Sequence, residues 1–100
     1  MVSSSVQELI PKIQMYFAKQ PIARAWLFGS CSRGEETPES DIDILVQYKA
    51  GEQISLFTIS RMVGALQKIL NKQVDLVEDG QVLPFAYRSV YRDRILIYEG

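Results

Sequence analysis

The sequence contains no histidine at all. That removes imidazole acid–base chemistry, any Ser-His-Asp triad and most zinc catalysis. It has a single cysteine, Cys31, so no disulfide can form within the chain, which fits a reducing compartment such as the cytoplasm. It has no basic excess: the formal net charge is -1. A protein that grips nucleic acid by its phosphates normally carries one, so a dedicated nucleic-acid binder is disfavoured. No apolar run reaches the roughly 18 residues that read as a membrane span. The first residues, MVSSSVQELIPK, lack the basic region and apolar run of a signal peptide, so none is expected.

What is present is the balance of a globular protein, 47% hydrophobic and 23% charged residues in a chain of 100. This length suits one domain over residues 1–100, with no core to spare for a second.

Ser5 and Glu8 have the spacing of a capping box, and Val6, Leu9, Ile13 and Phe17 recur at helical spacing. Pro11 interrupts this segment, which predicts a kink or a regular helix starting near Pro11. Ala23 to Phe28 reads as a short buried strand. Ser30 to Ser40 reads as a loop with room for one helical turn. Ile42 to Tyr48 is a second strand. Ile59, Met62, Val63, Leu66, Ile69 and Leu70 mark one face of a helix capped by Ser55. Val74 to Val77 is a third strand, Pro84 to Arg94 a last helix, and Ile95 to Tyr98 a final strand. The expected fold is α+β: a small mixed sheet of about four strands flanked by helices.

Five of the 12 acidic residues fall between Glu35 and Asp43. Asp41 and Asp43 begin an apolar strand. Alternation along a strand turns both to one face and Ile42, Ile44 and Val46 to the other. Two carboxylates there face poor strand propensity, desolvation and mutual repulsion. A divalent cation relieves all three, and carboxylate oxygens are preferred ligands of Mg²⁺. Asp75, in Val74-Asp75-Leu76-Val77, is a third carboxylate in the same setting. If its strand lies beside the first, three carboxylates converge, enough to hold two metal ions about 4 Å apart. Taken singly, each aspartate has a plainer reading. Asp41 can be a turn or cap residue, Asp43 a charge facing water, and Asp75 structural.

Gly29-Ser30 follows the first strand directly. Glycine there allows a sharp turn and close ligand approach. Ser30 offers a hydroxyl and an N–H, and a helical turn starting there would favour phosphate. Arg33 can neutralise phosphate charge, and Gly34 allows another tight turn. Neither the P-loop ending nor the three-glycine dinucleotide fingerprint is present. Alone, the same residues form an ordinary turn with a solvated arginine.

Together, these residues resemble the nucleotidyltransferase superfamily of DNA polymerase beta. Its signature is Gly-Ser, ten intervening residues, then Asp-x-Asp, here Gly29-Ser30 and Asp41-Ile42-Asp43. Arg33-Gly34 and Ser40 are most similar to the minimal nucleotidyltransferase (MNT) branch, whose members often serve as antitoxins. Val74 to Val77 resembles the family's third acidic strand and Arg92 to Tyr98 its C-terminal strand. The resemblance implies that Asp41, Asp43 and Asp75 are catalytic and bind Mg²⁺, with Asp75 helping to deprotonate an acceptor hydroxyl. It implies that Gly29, Ser30, Arg33 and Ser40 contact ATP. Cys31 departs from the small or basic residue often found at its position and is given no catalytic role. Larger family members carry acceptor-binding domains, and the short chain implies an acceptor on a separate protein. In the minimal branch that is typically a helical HEPN-type toxin, silenced by AMP transfer to a tyrosine hydroxyl or by binding. A homo-oligomer is compatible with either.

Phe85, Tyr87, Tyr91 and Tyr98, interleaved with Arg88, Arg92 and Arg94, offer a candidate partner surface. Core packing by Phe85 and Tyr98 is the preferred expectation. Two functional readings remain, an enzyme and a binding module that occludes its partner. A carboxylate-metal nuclease is disfavoured by the acidic balance and by Gly29-Ser30.

Overall fold

The computed structural model describes residues 2–100. Helix α1 (Ser4–Gln7) and helix α2 (Ile10–Phe17) lead into strand β1 (Ile22–Phe28). A single turn, α3 (Ser30–Arg33), precedes strand β2 (Ile42–Tyr48). Helix α4 (Leu56–Leu70) connects to strand β3 (Val74–Glu78). A 3₁₀ turn (Pro84–Ala86), helix α5 (Tyr87–Asp93) and strand β4 (Ile95–Glu99) complete the chain.

The break before α2 has a clear cause. Pro11 occupies the first turn of α2, where its missing N–H costs nothing. The expected capping box is displaced: Ser3, not Ser5, caps α1, its Oγ accepting from Val6 N at 3.3 Å. Ser5 is already inside the helix and exposed. Three consecutive serines offer the same chemistry, and which one caps is decided by where Val6 enters the core.

The cap of α4 is as expected, with Ser55 Oγ accepting from Thr58 N at 3.2 Å. Ser55→Ala should therefore destabilise the fold by about 1 kcal/mol in a denaturant titration. Asn71 ends α4 in the left-handed region, at φ 55°. The apolar stripe is narrower than its sequence pattern. Met62, Leu66 and Leu70 are buried, whereas Ile69 sits at the margin beside Lys12, Met15, Tyr16 and Lys19.

The four strands form one mixed sheet in the order β3-β2-β1-β4. β1 runs antiparallel to β2 and β4, and β2 runs parallel to β3. A parallel pair needs a crossover, which α4 supplies. Ala25 and Leu27 of β1, Ile42, Ile44 and Val46 of β2 and Ile97 of β4 pack with Ile13 and Phe17 of α2 and Met62 and Leu66 of α4. Tyr98 joins this core as expected, its ring meeting Phe17 edge-on at 6.0 Å.

The sheet's other face carries the alternate residues. Leu45 and Val90 are buried there, outside the main core cluster. Trp26 of β1 stacks on the Arg94 guanidinium on this face, 4.5 Å from ring centre to Cζ. Phe85 corrects the sequence expectation. It is 87% exposed, in the short 3₁₀ turn that approaches this face, instead of packing in the core.

Candidate active site

The acidic site lies where β1 ends and β2 and β3 begin. Ile42, Ile44 and Val46 enter the core, so alternation puts Asp43 on the opposite face. Asp43 and Asp75 are direct register partners across the parallel β2–β3 pair, and Phe28 is opposite Asp43 on β1. Asp41, one residue before the strand, is exposed.

Asp43 is the electrostatic centre. Its pKa is raised from 3.8 to about 6, first by burial and then by the charges of Asp75 and Asp41, with Arg33 offsetting part of the rise. All three aspartates named from the sequence are therefore neighbours. Among the described residues, no hydrogen-bond donor meets the Asp43 carboxylate. A half-buried carboxylate flanked by two others, with no donor among the described residues, has the chemistry of a divalent-cation ligand. Among the described residues, no three His, Cys, Asp or Glu side chains already form a metal cluster. The aspartates are a fitting donor set, not a ready-made cage.

Gly29 sits directly against this carboxylate. Its φ of 73° and ψ of -155° suit glycine, and a Cβ built on it would run into Asp43 Oδ2. The turn Ser30–Arg33 follows at once, closed by Gly34 at φ 73°. A single turn sums too few peptide dipoles to act as a long helix would. What this segment brings to the site is its backbone, Ser30 and Arg33.

Ser32, which the sequence reading passed over, is the buried polar residue of this turn. Its hydroxyl donates to Gly29 O at 2.8 Å and fixes the glycine conformation. Cys31 is buried, and its thiol donates to Asp41 O at 3.5 Å, tying the turn to the start of β2. Burial pushes that thiol's pKa up, with Glu36 and Asp43 adding to the rise. This is the reverse of what an activated nucleophile needs.

Ser40 turns into its own loop, its Oγ accepting from Thr37 N at 2.8 Å. It borders an open polar cavity of about 340 Å³ with Gln67, Asn71 and Lys72. Arg33 donates from Nε to Glu35 at 2.7 Å and from Nη1 to Asp93 at 3.1 Å. Nothing local in the sequence pairs Arg33 with a residue sixty positions away.

A second cavity, of about 360 Å³, opens beside Asp75. Phe28, Val77, Val82, Leu83 and Val90 make it largely apolar, and Asp75 is the one carboxylate on its wall. Leu83 and Phe85 stand exposed nearby in sequence.

A mixed four-stranded sheet with a glycine turn at the end of one strand and aspartates on the next two defines a nucleotidyltransferase. Residues 10–97 match the nucleotidyltransferase domain family, and the chain belongs to that family. It is 36% identical over 92 residues to a candidate protein adenylyltransferase of Methanocaldococcus jannaschii, covering 92% of this chain and 91% of that one. The solved structure of a candidate minimal nucleotidyltransferase is 28% identical, with a TM-score of 0.75 over 95% of each chain. The complex of a tri-AMPylated Shewanella oneidensis HEPN toxin with its MNT antitoxin contains a similar chain. There the TM-score is 0.67 at 21% identity, covering 94% of this chain and 72% of that one, a likeness of fold. Among the described residues, no helix is long and apolar enough to cross a membrane.

Proposed function

We propose that this nucleotidyltransferase transfers AMP from ATP to a hydroxyl on a partner protein. The observation that carries the reading is the in-register pair Asp43–Asp75, with Asp41 beside it and Gly29 pressed against the Asp43 carboxylate. Asp41, Asp43 and Asp75 would hold Mg²⁺, whose charge offsets that of the triphosphate and of the transition state. The Gly29-Ser30 backbone lets the triphosphate approach closely, with Arg33 adding positive charge. Ser40 holds the loop that presents Asp41. Asp75, exposed at the apolar cavity, accepts the proton of the acceptor hydroxyl. The acceptor oxygen bonds to the α-phosphorus, the α–β phosphoanhydride bond breaks, and pyrophosphate leaves.

An acceptor on a second protein is favoured by the relatives, which are named as protein adenylyltransferases. A small helical HEPN-type protein is the partner we favour, since the similar fold in the Shewanella complex stands beside an AMPylated HEPN toxin. An ATP-consuming reaction and a buried free thiol both suit the cytoplasm. A second reading is an antitoxin that acts by occlusion alone. The exposed Phe85 and Tyr87 favour it, because aromatic residues are enriched at interfaces.

Co-expression with a HEPN-type partner protein, followed by intact-mass measurement, separates the two. The transfer reading expects the partner to gain the mass of one or more AMP groups with the wild-type chain and none with Asp41→Asn. A stable complex whose partner keeps its unmodified mass with both chains would leave occlusion as the function.

A further inference from the structure

Arg33 belongs to the motif turn and pairs with Glu35 just after it at 2.7 Å, yet it also reaches a carboxylate near the far end of the chain. Nη1 donates to Asp93 Oδ2 at 3.1 Å, and the Asp93 side chain is only 14% exposed. The other Asp93 oxygen accepts from Arg92 Nε at 3.0 Å. These two guanidinium bonds hold the Asp93 carboxyl below its usual range, Arg92 contributing first, so it is ionised at neutral pH. The charge of Arg33 also reaches Asp43, where it opposes the upward pKa shift.

The helix that presents Asp93 is fixed by polar ties. α5 has one buried residue, Val90, and its N-terminus has no side-chain cap. Instead, the Tyr91 hydroxyl donates to the Asp79 carboxylate just after β3. The Arg94 guanidinium lies 4.5 Å from the ring centres of both Tyr91 and Trp26, which pins the end of α5 to β1. An arginine has many rotamers, and a bond to an anchored carboxylate selects among them.

We infer that Asp93 is a positioning residue that holds the Arg33 guanidinium at the mouth of the carboxylate site, where its charge meets the triphosphate of the incoming nucleotide. The inference rests on the nucleotidyl-transfer reading, in which Arg33 is a phosphate contact. Asp93 touches no reacting atom. It acts through Arg33, and the Trp26–Arg94–Tyr91–Asp79 contacts keep it in place.

Calorimetric binding of ATP and of AMP, each with Mg²⁺, tests this without turnover. Asp93→Asn should weaken ATP binding on the order of tenfold and leave AMP binding within about twofold, because a displaced Arg33 is felt chiefly beyond the α-phosphate. Asp93→Glu should recover most of the loss. In an Arg33→Ala background, Asp93→Asn should add nothing further. Equal weakening for ATP and AMP would mark Asp93 as structural only and overturn the inference. Unchanged or tighter ATP binding by Asp93→Asn would also overturn it, the tighter result meaning that Asp93 competes with phosphate for Arg33. A wild-type chain that binds no ATP with Mg²⁺ would instead remove the nucleotidyl-transfer reading, and the inference with it.

Discussion

Asp43→Asn should melt at a higher temperature than the wild-type chain at pH 7.5 in chelator, and should transfer no nucleotide. The folded protein raises the Asp43 pKa from 3.8 to about 6, through burial first and then the charges of Asp75 and Asp41. A carboxylate whose pKa rises on folding opposes the folded state once it is ionised. Below about pH 4 the group is protonated in both states and exerts no penalty. Between about 4 and 6 the unfolded chain releases the proton while the folded chain keeps it, so stability falls as pH rises. Above about 6 the penalty is complete. The shift converts to at most about 3 kcal/mol, and to about 1–2 kcal/mol once solvent screening of a half-exposed group is allowed for. In a domain this small that is roughly 5–10 °C in Tm.

The neutral amide removes the penalty, so the stabilisation should be present at pH 7.5 and nearly absent at pH 4. Loss of a metal-binding carboxylate should lower transfer by about a thousandfold or more. Saturating Mg²⁺ and ATP should stabilise the wild-type chain and leave the variant where it was, by mass action. Melting curves at the two pH values, with and without Mg²⁺ and ATP, check all of this. A variant less stable than wild type at both pH values would mean that Asp43 is held by favourable contacts and not poised for a cation.

Gly29→Ala is the second large effect. The backbone at φ 73° and ψ -155° is hostile to any side chain, and the new methyl would overlap Asp43 Oδ2. Strain of this kind costs about 1–3 kcal/mol. The functional loss should exceed the stability loss, since whichever group yields, either the glycine turn or the central carboxylate leaves its place. We expect transfer to fall by about a hundredfold or more, on the scale set by small displacements of catalytic groups. Pairing it with Asp43→Ala separates the clash from the backbone strain. If the overlap is with Asp43, Gly29→Ala should destabilise the Asp43→Ala chain less than it does the wild type. Equal destabilisation in both backgrounds would assign the whole cost to the backbone.

Features written in local spacing were legible in the sequence. Alternation along Asp41 to Val46 placed two aspartates opposite three core residues, and Ile42, Ile44 and Val46 are in the core. The adjacency of Asp43 and Asp75 could only be stated as a condition, because strand order is a tertiary property. The β3-β2-β1-β4 order fulfils it. Three features escaped. Ser3 caps α1 instead of Ser5, because near-identical side chains are discriminated only by the position of Val6 in the core. Phe85 is exposed although aromatic, because the 3₁₀ turn that carries it has no buried residue. Asp93 bonds to Arg33 across sixty residues, and no periodicity encodes such a pairing. Ser32, by contrast, carried a signal: a serine three residues after a strained glycine can return its hydroxyl to that glycine's carbonyl.

The central claim is tested most directly by following the two ends of ATP separately. The wild-type chain, its partner protein and Mg²⁺ would be incubated with ATP labelled at the α-phosphate and, in parallel, at the γ-phosphate. The account predicts α-label fixed to the partner protein, γ-label released as pyrophosphate, and neither event with Asp41→Asn or Asp43→Asn. Retention of γ-label on the partner, or α-label that stays in free nucleotide while partner and chain form a stable complex, would contradict it.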